Sequence, residues 1–339
     1  MPKILDLMEY PDDEAAQAAY PTNADFLTVF EDDFENNNLD KWTIVEAAWS
    51  TTDAQKYSGT YSAYGVGQAT LRTLSKTLPS ALTKARLVFY VRFSKATVNE
   101  QNYYLVYDPP YALVARKNHF QYYNGSYHNL PTDTTWVINT WYKIRVDFDA
   151  STNSLKYWIN DDYKGEVTSI AFASVTAIFL ISNNTATYNM WVDDVVMKDL
   201  NTKCLQCYSE STIKQQGNYS LKGIAKQLYS LDNTLTRTVS PTIDLTGKNK
   251  IRFQMYASRI GSNIKVGIRD SGDQITEITP NIALADTWQM INWSIVNLAK
   301  INKDAIDRIF LTMLNVDSDN IFYIDDMQAY AVAQSPILV

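Results

Sequence analysis

Two cysteines and two histidines in 339 residues leave little room for several kinds of chemistry. Cys204 and Cys207 form one Cys-x-x-Cys, whereas a zinc ribbon needs a second pair and a thioredoxin-like site needs a strand-to-helix junction in a βαβ context that this sequence does not offer. They read as two small apolar residues on or near a strand, with a local disulfide left open. His119 and His128 supply neither a multi-histidine metal site nor a Ser-His-Asp triad. Walker and dinucleotide glycine motifs are missing, as is any apolar run approaching the roughly 20 residues of a membrane helix. Basic charge is also short, with 30 Lys plus Arg against 37 Asp plus Glu and a net charge of -7. Neither nucleic acid nor a membrane is therefore an expected partner. The opening Met1-Pro2-Lys3-Ile4-Leu5-Asp6-Leu7-Met8-Glu9 puts acids where a secretory signal has its apolar core, so signal-peptide export is not expected.

Apolar and aromatic residues are plentiful. Hydrophobic residues make up 46% of the chain, enough to bury a full core, and the length suggests two domains. From about residue 27 onward, short runs rich in Val, Ile, Tyr, Phe and Thr alternate with Asn, Asp, Gly and Ser. Ala85 to Phe93 and Lys250 to Tyr256 show the two-residue period of half-buried strands. Helical periodicity is limited to Asp13–Tyr20, behind an Asp cap, and a short turn near Asn302–Asp307. The fold class predicted is all-β.

Three stretches recur in order. Gly59-Thr60-Tyr61-Ser62-Ala63-Tyr64-Gly65 matches Gly217-Asn218-Tyr219-Ser220-Leu221-Lys222-Gly223; Thr140-Trp141-Tyr142-Lys143-Ile144 matches Thr287-Trp288-Gln289-Met290-Ile291; and Trp191-Val192-Asp193-Asp194-Val195 matches Tyr323-Ile324-Asp325-Asp326-Met327. The ordered triplet points to one architecture used twice. The predicted boundaries are an N-terminal arm over 1–26, a first sandwich over 27–200, a second over 201–331 and a C-terminal tail over 332–339.

The first unit carries Asp32-Asp33-Phe34, Leu39-Asp40-Lys41-Trp42, Asn139 to Asp149 and Leu155-Lys156-Tyr157-Trp158-Ile159-Asn160. It resembles laminin-G-like or concanavalin-like jelly rolls, except that Asp161-Asp162 stand where the family usually turns on Gly. The second, with Ser240-Pro241-Thr242-Ile243-Asp244-Leu245, Asp286-Thr287-Trp288-Gln289 and Phe322 to Met327, is similar to galactose-binding-like carbohydrate-binding modules. Ile4 to Tyr10, Ala15 to Tyr20 and Cys207 to Lys214 resemble paired segments of bacteriophage virion proteins, where they stand close together. That implies a first unit inserted between the arm and its own sandwich, with the arm packing on the second sandwich. It also implies a non-enzymatic virion structural or adhesion protein (head decoration, head fibre or tail-associated), assembled in the host cytoplasm as a homo-oligomer with other virion proteins as partners. The arm and the tail Ser335-Pro336-Ile337-Leu338-Val339 would then serve as docking segments. A lectin for host-surface glycans and a polysaccharide-degrading enzyme are the alternatives.

Candidate sites follow from both kinds of reading. Glu31-Asp32-Asp33-Phe34-Glu35 has a carboxylate spacing used by retaining glycosidases, but at the entry to a first strand rather than mid-sheet, so catalysis is not expected there. The resemblance implies a structural calcium held by Asp33 and Asp193 in the first unit and by Glu210 and Asp325 in the second, against the alternative that these acids cap strand ends in water. Sugars stack on exposed rings, and the densest tyrosine run, Tyr103, Tyr104, Tyr107, Tyr111 and Phe120 to His128, turns at Asn124-Gly125. Tyr123, Tyr127 and His128 are its candidates for ligand contact, unless the tyrosines decorate the sandwich or fill a subunit interface.

Overall fold

The computed structural model describes residues 2–67, 72–95, 102–106, 113–132, 134–168, 170–181 and 188–331. It divides into two compact units: an inserted unit, Phe26–Asn201, and a split unit made of Met1–Asp25 with Thr202–Val339. Both are β-sandwiches.

The split unit begins with β1 (Lys3–Asp6) and α1 (Asp13–Ala19). Asp12 caps the helix, its carboxylate accepting the Ala15 N–H at 2.8 Å. Leu5, Met8, Ala16 and Tyr20 are buried, while Ile4 is exposed. Buried Asp6 accepts the hydroxyls of Tyr10 (2.7 Å) and Tyr20 (2.9 Å) and pairs with Arg237.

The inserted unit contributes β2 (Phe26–Asp32), β3 (Ile44–Val45), β4 (Trp49–Thr52), β5 (Ser62–Gly65), β6 (Thr73–Leu82), β7 (Lys84–Phe93), β8 (Asn102–Val106) and β9 (Leu113–Arg116). It continues with β10 (His119–Tyr123), β11 (Tyr127–Asn129), β12 (Trp141–Asp149), β13 (Ser154–Ile159), β14 (Asp162–Val167), β15 (Val175–Ile181) and β16 (Met190–Lys203). One sheet runs β14-β13-β12-β7-β16-β5-β4, with β2 also on β16; the other runs β11-β10-β9-β8-β15-β6-β3. Strict alternation in β7 and β12 buries Phe89, Val91, Phe93, Ile144, Val146 and Phe148 on one face and leaves the other face half-exposed. Those side chains join Tyr103, Phe120 and Leu180 of the second sheet in one core.

The chain returns to the split unit through β17 (Leu205–Glu210), β18 (Ser220–Ala225), β19 (Thr234–Ile243), β20 (Lys250–Ala257), β21 (Ile264–Asp270), β22 (Ile275–Ile278), β23 (Gln289–Ser294), β24 (Ile306–Met313) and β25 (Asn320–Tyr330). A 3-10 turn at Lys300–Asn302 precedes β24, so the turn expected near 302–307 begins earlier and yields to a strand at Ile306. One sheet runs β17-β18-β25-β20-β23, with β1 on β25; the other runs β19-β24-β21-β22. Helix α1 packs on β17, and the Cys207 thiol donates to the carbonyls of Ala16 (3.3 Å) and Tyr20 (3.4 Å). Both cysteines are buried thiols, and burial pushes Cys207 up to about 12.

The two first sheets share one plan. β4-β5-β16-β7-β12 with β2 on β16 corresponds strand for strand to β17-β18-β25-β20-β23 with β1 on β25. Each of the three repeated stretches occupies the same place in both.

Candidate functional site

The hairpin β10–β11 turns at Asn124–Ser126, with Gly125 at φ +109°. Tyr123 lies opposite Tyr127 with ring centroids 5.0 Å apart, and the Arg116 guanidinium sits 4.4 Å from the Tyr127 ring. Gln121 and Asn129 share this face, their amides joined at 2.7 Å. Tyr123 and Tyr127 are half-buried. His128 belongs to the other face: it pairs with Tyr122, stacks on that ring at 5.3 Å and lies 2.8 Å from the Ser126 hydroxyl. The structure therefore brings Tyr123 and Tyr127 together and sets His128 apart, as the two-residue period of a strand requires. Tyr103 and Tyr104 are buried, while Tyr107 and Tyr111 lie outside the described residues.

The carboxylates considered for calcium are engaged by N–H donors. Asp193 is fully buried; its Oδ2 accepts the N–H groups of Tyr57 (2.8 Å) and Ser58 (3.2 Å), and its Oδ1 accepts that of Asp194 (2.9 Å). Burial outweighs these bonds and pushes its carboxyl up to about 6. Asp33 is exposed and accepts the Glu35 N–H at 3.3 Å. Glu210 accepts the Thr212 N–H (2.7 Å) and pairs with Lys222 (3.6 Å). Asp325 Oδ2 accepts from Gln215 (2.8 Å) and Gln216 (2.9 Å), while its Oδ1 is buried without a hydrogen-bond partner. Calcium takes six to eight oxygens, yet no three acidic, His or Cys side chains gather among the described residues. Isolated carboxylates whose other oxygens are taken by backbone N–H groups do not supply the oxygen cage that ion needs.

A fourth repeated stretch, not apparent in the sequence reading, completes these clasps. Asp6-Leu7-Met8-Glu9 matches Asp32-Asp33-Phe34-Glu35. In each, the Asp carboxylate accepts the N–H of the residue two further on, Met8 (2.9 Å) or Phe34 (3.1 Å), which is fully buried at positive φ. The Glu that follows reaches the loop ahead of β5 or β18: Glu35 accepts from Thr60 (2.8 Å) and Tyr61 (2.9 Å), and Glu9 accepts from Asn218 (3.0 Å). Gly59 and Gly217 let the carboxylate approach, since both have positive φ and a Cβ at either would collide with it. Asp-x-(Phe/Met)-Glu is the sequence signal for this clasp. In the first unit it lies inside the acidic run that has a retaining-glycosidase spacing but at which catalysis is not expected.

These clasps position a ring. Tyr57, in the loop held by Asp193, is 48% exposed and lies flat on Tyr90 of β7, with centroids 3.6 Å apart and planes 13° from parallel. Trp141 meets Tyr57 edge-on at 6.1 Å. Lys143, Asn160 and Asp161 complete the lining of an open cleft of about 290 Å³. Asn160 and Asp161 form the β13–β14 turn, both at positive φ, the geometry of a two-residue hairpin connection made here without Gly. Asn160 Oδ1 accepts the Lys143 N–H (2.9 Å), and the Lys143 ammonium pairs with Asp161 at 2.8 Å. Burial and the adjoining Tyr57 hold the Tyr90 phenol above its ordinary range, so it stays a hydroxyl.

Beside the cleft, register aligns four outward side chains across four strands: Tyr64, Trp191, Arg92 and Trp141. Tyr64 stacks on Trp191 at 5.3 Å. At an interstrand spacing of about 4.8 Å the row is about 14 Å long. The split unit repeats it as Lys222, Tyr323, Tyr256 and Trp288, with Tyr256 at 5.7 Å from Trp288 and 5.1 Å from Tyr323. Each row holds three aromatics and one cation. Sequence reading missed Tyr57, Tyr90 and Arg92 as site residues. It treated Trp141 and Trp191 as structural anchors.

No family model and no curated protein matches the chain. Among solved structures it is similar to "Cellulose induced protein, Cip1", at 13% identity and TM-score 0.41 over 50% of this chain and 97% of that one. It is also similar to the CBM22-1-CBM22-2 tandem of Paenibacillus barcinonensis Xyn10C, at 12% identity and TM-score 0.30 over 92% and 99% of the two chains. A family 30 carbohydrate-binding module matches at 15% identity and TM-score 0.33 over 40% and 84%. Such values describe a likeness of fold, and the functional reading rests on the side chains.

Proposed function

We propose that this protein binds glycans without cleaving them, using the Tyr57, Tyr90 and Trp141 cleft. The observation that carries this is Tyr57, an exposed ring held flat by Tyr90 beneath it and by the Asp193 clasp on its backbone. A pyranose presents an apolar face of C–H groups that stacks on such a ring, while its hydroxyls reach the polar groups that fix orientation. Here those groups are the Lys143–Asp161 pair and the Asn160 amide, and they lie beside the platform in one lining. A ring already packed loses little freedom when ligand arrives, which favours binding.

Binding rather than hydrolysis is supported by the state of the acidic run. Asp32 is buried and accepts the Trp42 indole N–H at 2.8 Å, and backbone N–H groups hold the exposed Glu35 carboxyl below its usual range. A general acid needs the opposite shift. Affinity electrophoresis against a polysaccharide panel tests the reading. At least one polysaccharide should retard the protein, and Tyr57→Ala or Trp141→Ala should weaken that binding about tenfold, the worth of one stacking contact. Unchanged retardation in both variants would exclude the cleft. Release of reducing ends from the bound polysaccharide would exclude the non-enzymatic part.

The second reading places these sandwiches on a bacteriophage particle. It is favoured by the packing of α1 on β17, which joins the segments whose sequences resemble paired virion segments. Mass spectrometry of purified particles carrying this gene tests it, and absence from the particle would rule it out.

A further inference from the structure

Cations on the outer face of the β7–β12 pair are matched by carboxylates. Lys84 pairs with Asp149 at 3.1 Å, Arg86 and Arg145 share Asp147 at 2.8 and 2.7 Å, and Lys143 pairs with Asp161 at 2.8 Å. Arg92 differs. Its partners are the Asn139 amide oxygen at 3.1 Å and the Trp191 ring at 5.6 Å, and no carboxylate lies within ion-pair distance among the described residues. Its Nε is buried without a hydrogen-bond partner. A guanidinium keeps its charge at any physiological pH, and partial burial without an anion is unfavourable. In the corresponding row of the split unit the cation is Lys222, already paired with Glu210, and Tyr256 stands at the Arg92 position.

The geometry points to an anionic glycan as ligand of the Tyr64, Trp191, Arg92 and Trp141 row, with Arg92 receiving the carboxylate of a uronic acid or a sulfate ester. This rests on the glycan-binding reading and deepens it. The planar fork of the guanidinium matches either anion with two parallel N–H···O bonds, and flanking indoles keep the sugar ring alongside. Trp141 belongs both to the row and to the cleft, so one chain can run from the Tyr57 platform across to Arg92. The net charge of -7 does not prevent this, because recognition depends on local charge within a Debye length of about 10 Å.

Calorimetry on the full chain with three β-1,4-linked probes tests the inference: cellohexaose, a hexaglucuronate and sulfated cellohexaose. At low ionic strength an acidic probe should bind at least about tenfold tighter than cellohexaose, and the ratio should shrink as salt is added. The hexaglucuronate and the sulfated probe distinguish carboxylate from sulfate. Arg92→Gln should bring the ratio to about one. Arg92→Lys, which keeps the charge and loses the fork, should retain part of the preference and serves where the Gln variant is unstable. A wild-type ratio near one, or a preference that survives Arg92→Gln, overturns the inference. Loss of all three probes in Tyr57→Ala with a ratio near one in the wild type leaves glycan binding standing and removes only the anionic specificity. Failure of every probe to bind the wild type overturns the inference, while glycan binding itself stands or falls on the polysaccharide panel.

Discussion

The inserted and split units solve the same folding problem with different side chains. Both close the first sheet with a last strand carrying twin aspartates, and both tie an early loop to it with a carboxylate on backbone N–H groups. They differ in what surrounds the clasp. Around β1, Asp6 is buried among Arg237, Tyr10 and Tyr20, whereas its counterpart Asp32 pairs with Lys41, whose side chain is 40% exposed. On the outer face, one unit leaves Arg92 without a carboxylate partner among the described residues and carries a flat exposed Tyr57, and the other neutralises Lys222 and sets Tyr256, Trp288 and Tyr323 edge to face. The shared features are those that keep the loops closed. The unshared ones face solvent and are free to serve binding.

The largest expected break in this parallel is at the first strands. Asp6→Ala should cost about 3–5 kcal/mol by leaving the partly buried Arg237 charge without its anion. Asp32→Ala should cost only about 1–3 kcal/mol, because Lys41 can turn to water and the main loss is the Trp42 acceptor. Urea denaturation of the two variants compares them, and equal losses would mean that the environments of the two aspartates do not matter.

Next come the last-strand clasps. Asp193→Ala and Asp325→Ala should each cost about 1–3 kcal/mol, with Asp193 the larger because it satisfies three N–H groups against two. Only Asp193→Ala should also weaken glycan retardation, since it alone frees the Tyr57 backbone. A smaller effect concerns pH. The folded carboxyl of Asp193 stands near 6 against 3.8 unperturbed, so its contribution to stability is fully present below about pH 4 and is lost as pH rises through 6. Relative to wild type, Asp193→Asn should flatten the stability profile between pH 4 and 7 by about 1 kcal/mol once solvent screening is allowed for. Smallest of all is the effect of calcium. Because the clasps present N–H donors to the carboxylates, about 1 mM calcium or its removal by chelator should move the melting temperature by less than about 1 °C, read by scanning calorimetry.

Much of the fold was legible because strand alternation and repeats are local signals. β7 and β12 announce themselves by period, and the repeated stretches mark equivalent strands through residue order alone. The site was less legible. Tyr57 sits in a loop with no periodicity, and what fixes it is a carboxylate 136 residues away. Arg92 looks like any outward residue of an alternating strand until the ion pairs around it are counted. The hairpin tyrosines show the same limit from the other side: composition drew attention to Tyr123, Tyr127 and His128 together, and register put the histidine on the opposite face.

By itself the sequence determined that the chain from about residue 27 onward is built of strands, which faces the alternating ones bury and that one plan occurs twice, since these depend on neighbours along the chain and on hydrophobic period. β1 in the arm was not legible as a strand. Tertiary structure alone decided which charges are paired and which ring is held open to solvent. Those depend on cross-strand register and on long-range clasps that bring together residues far apart in the chain.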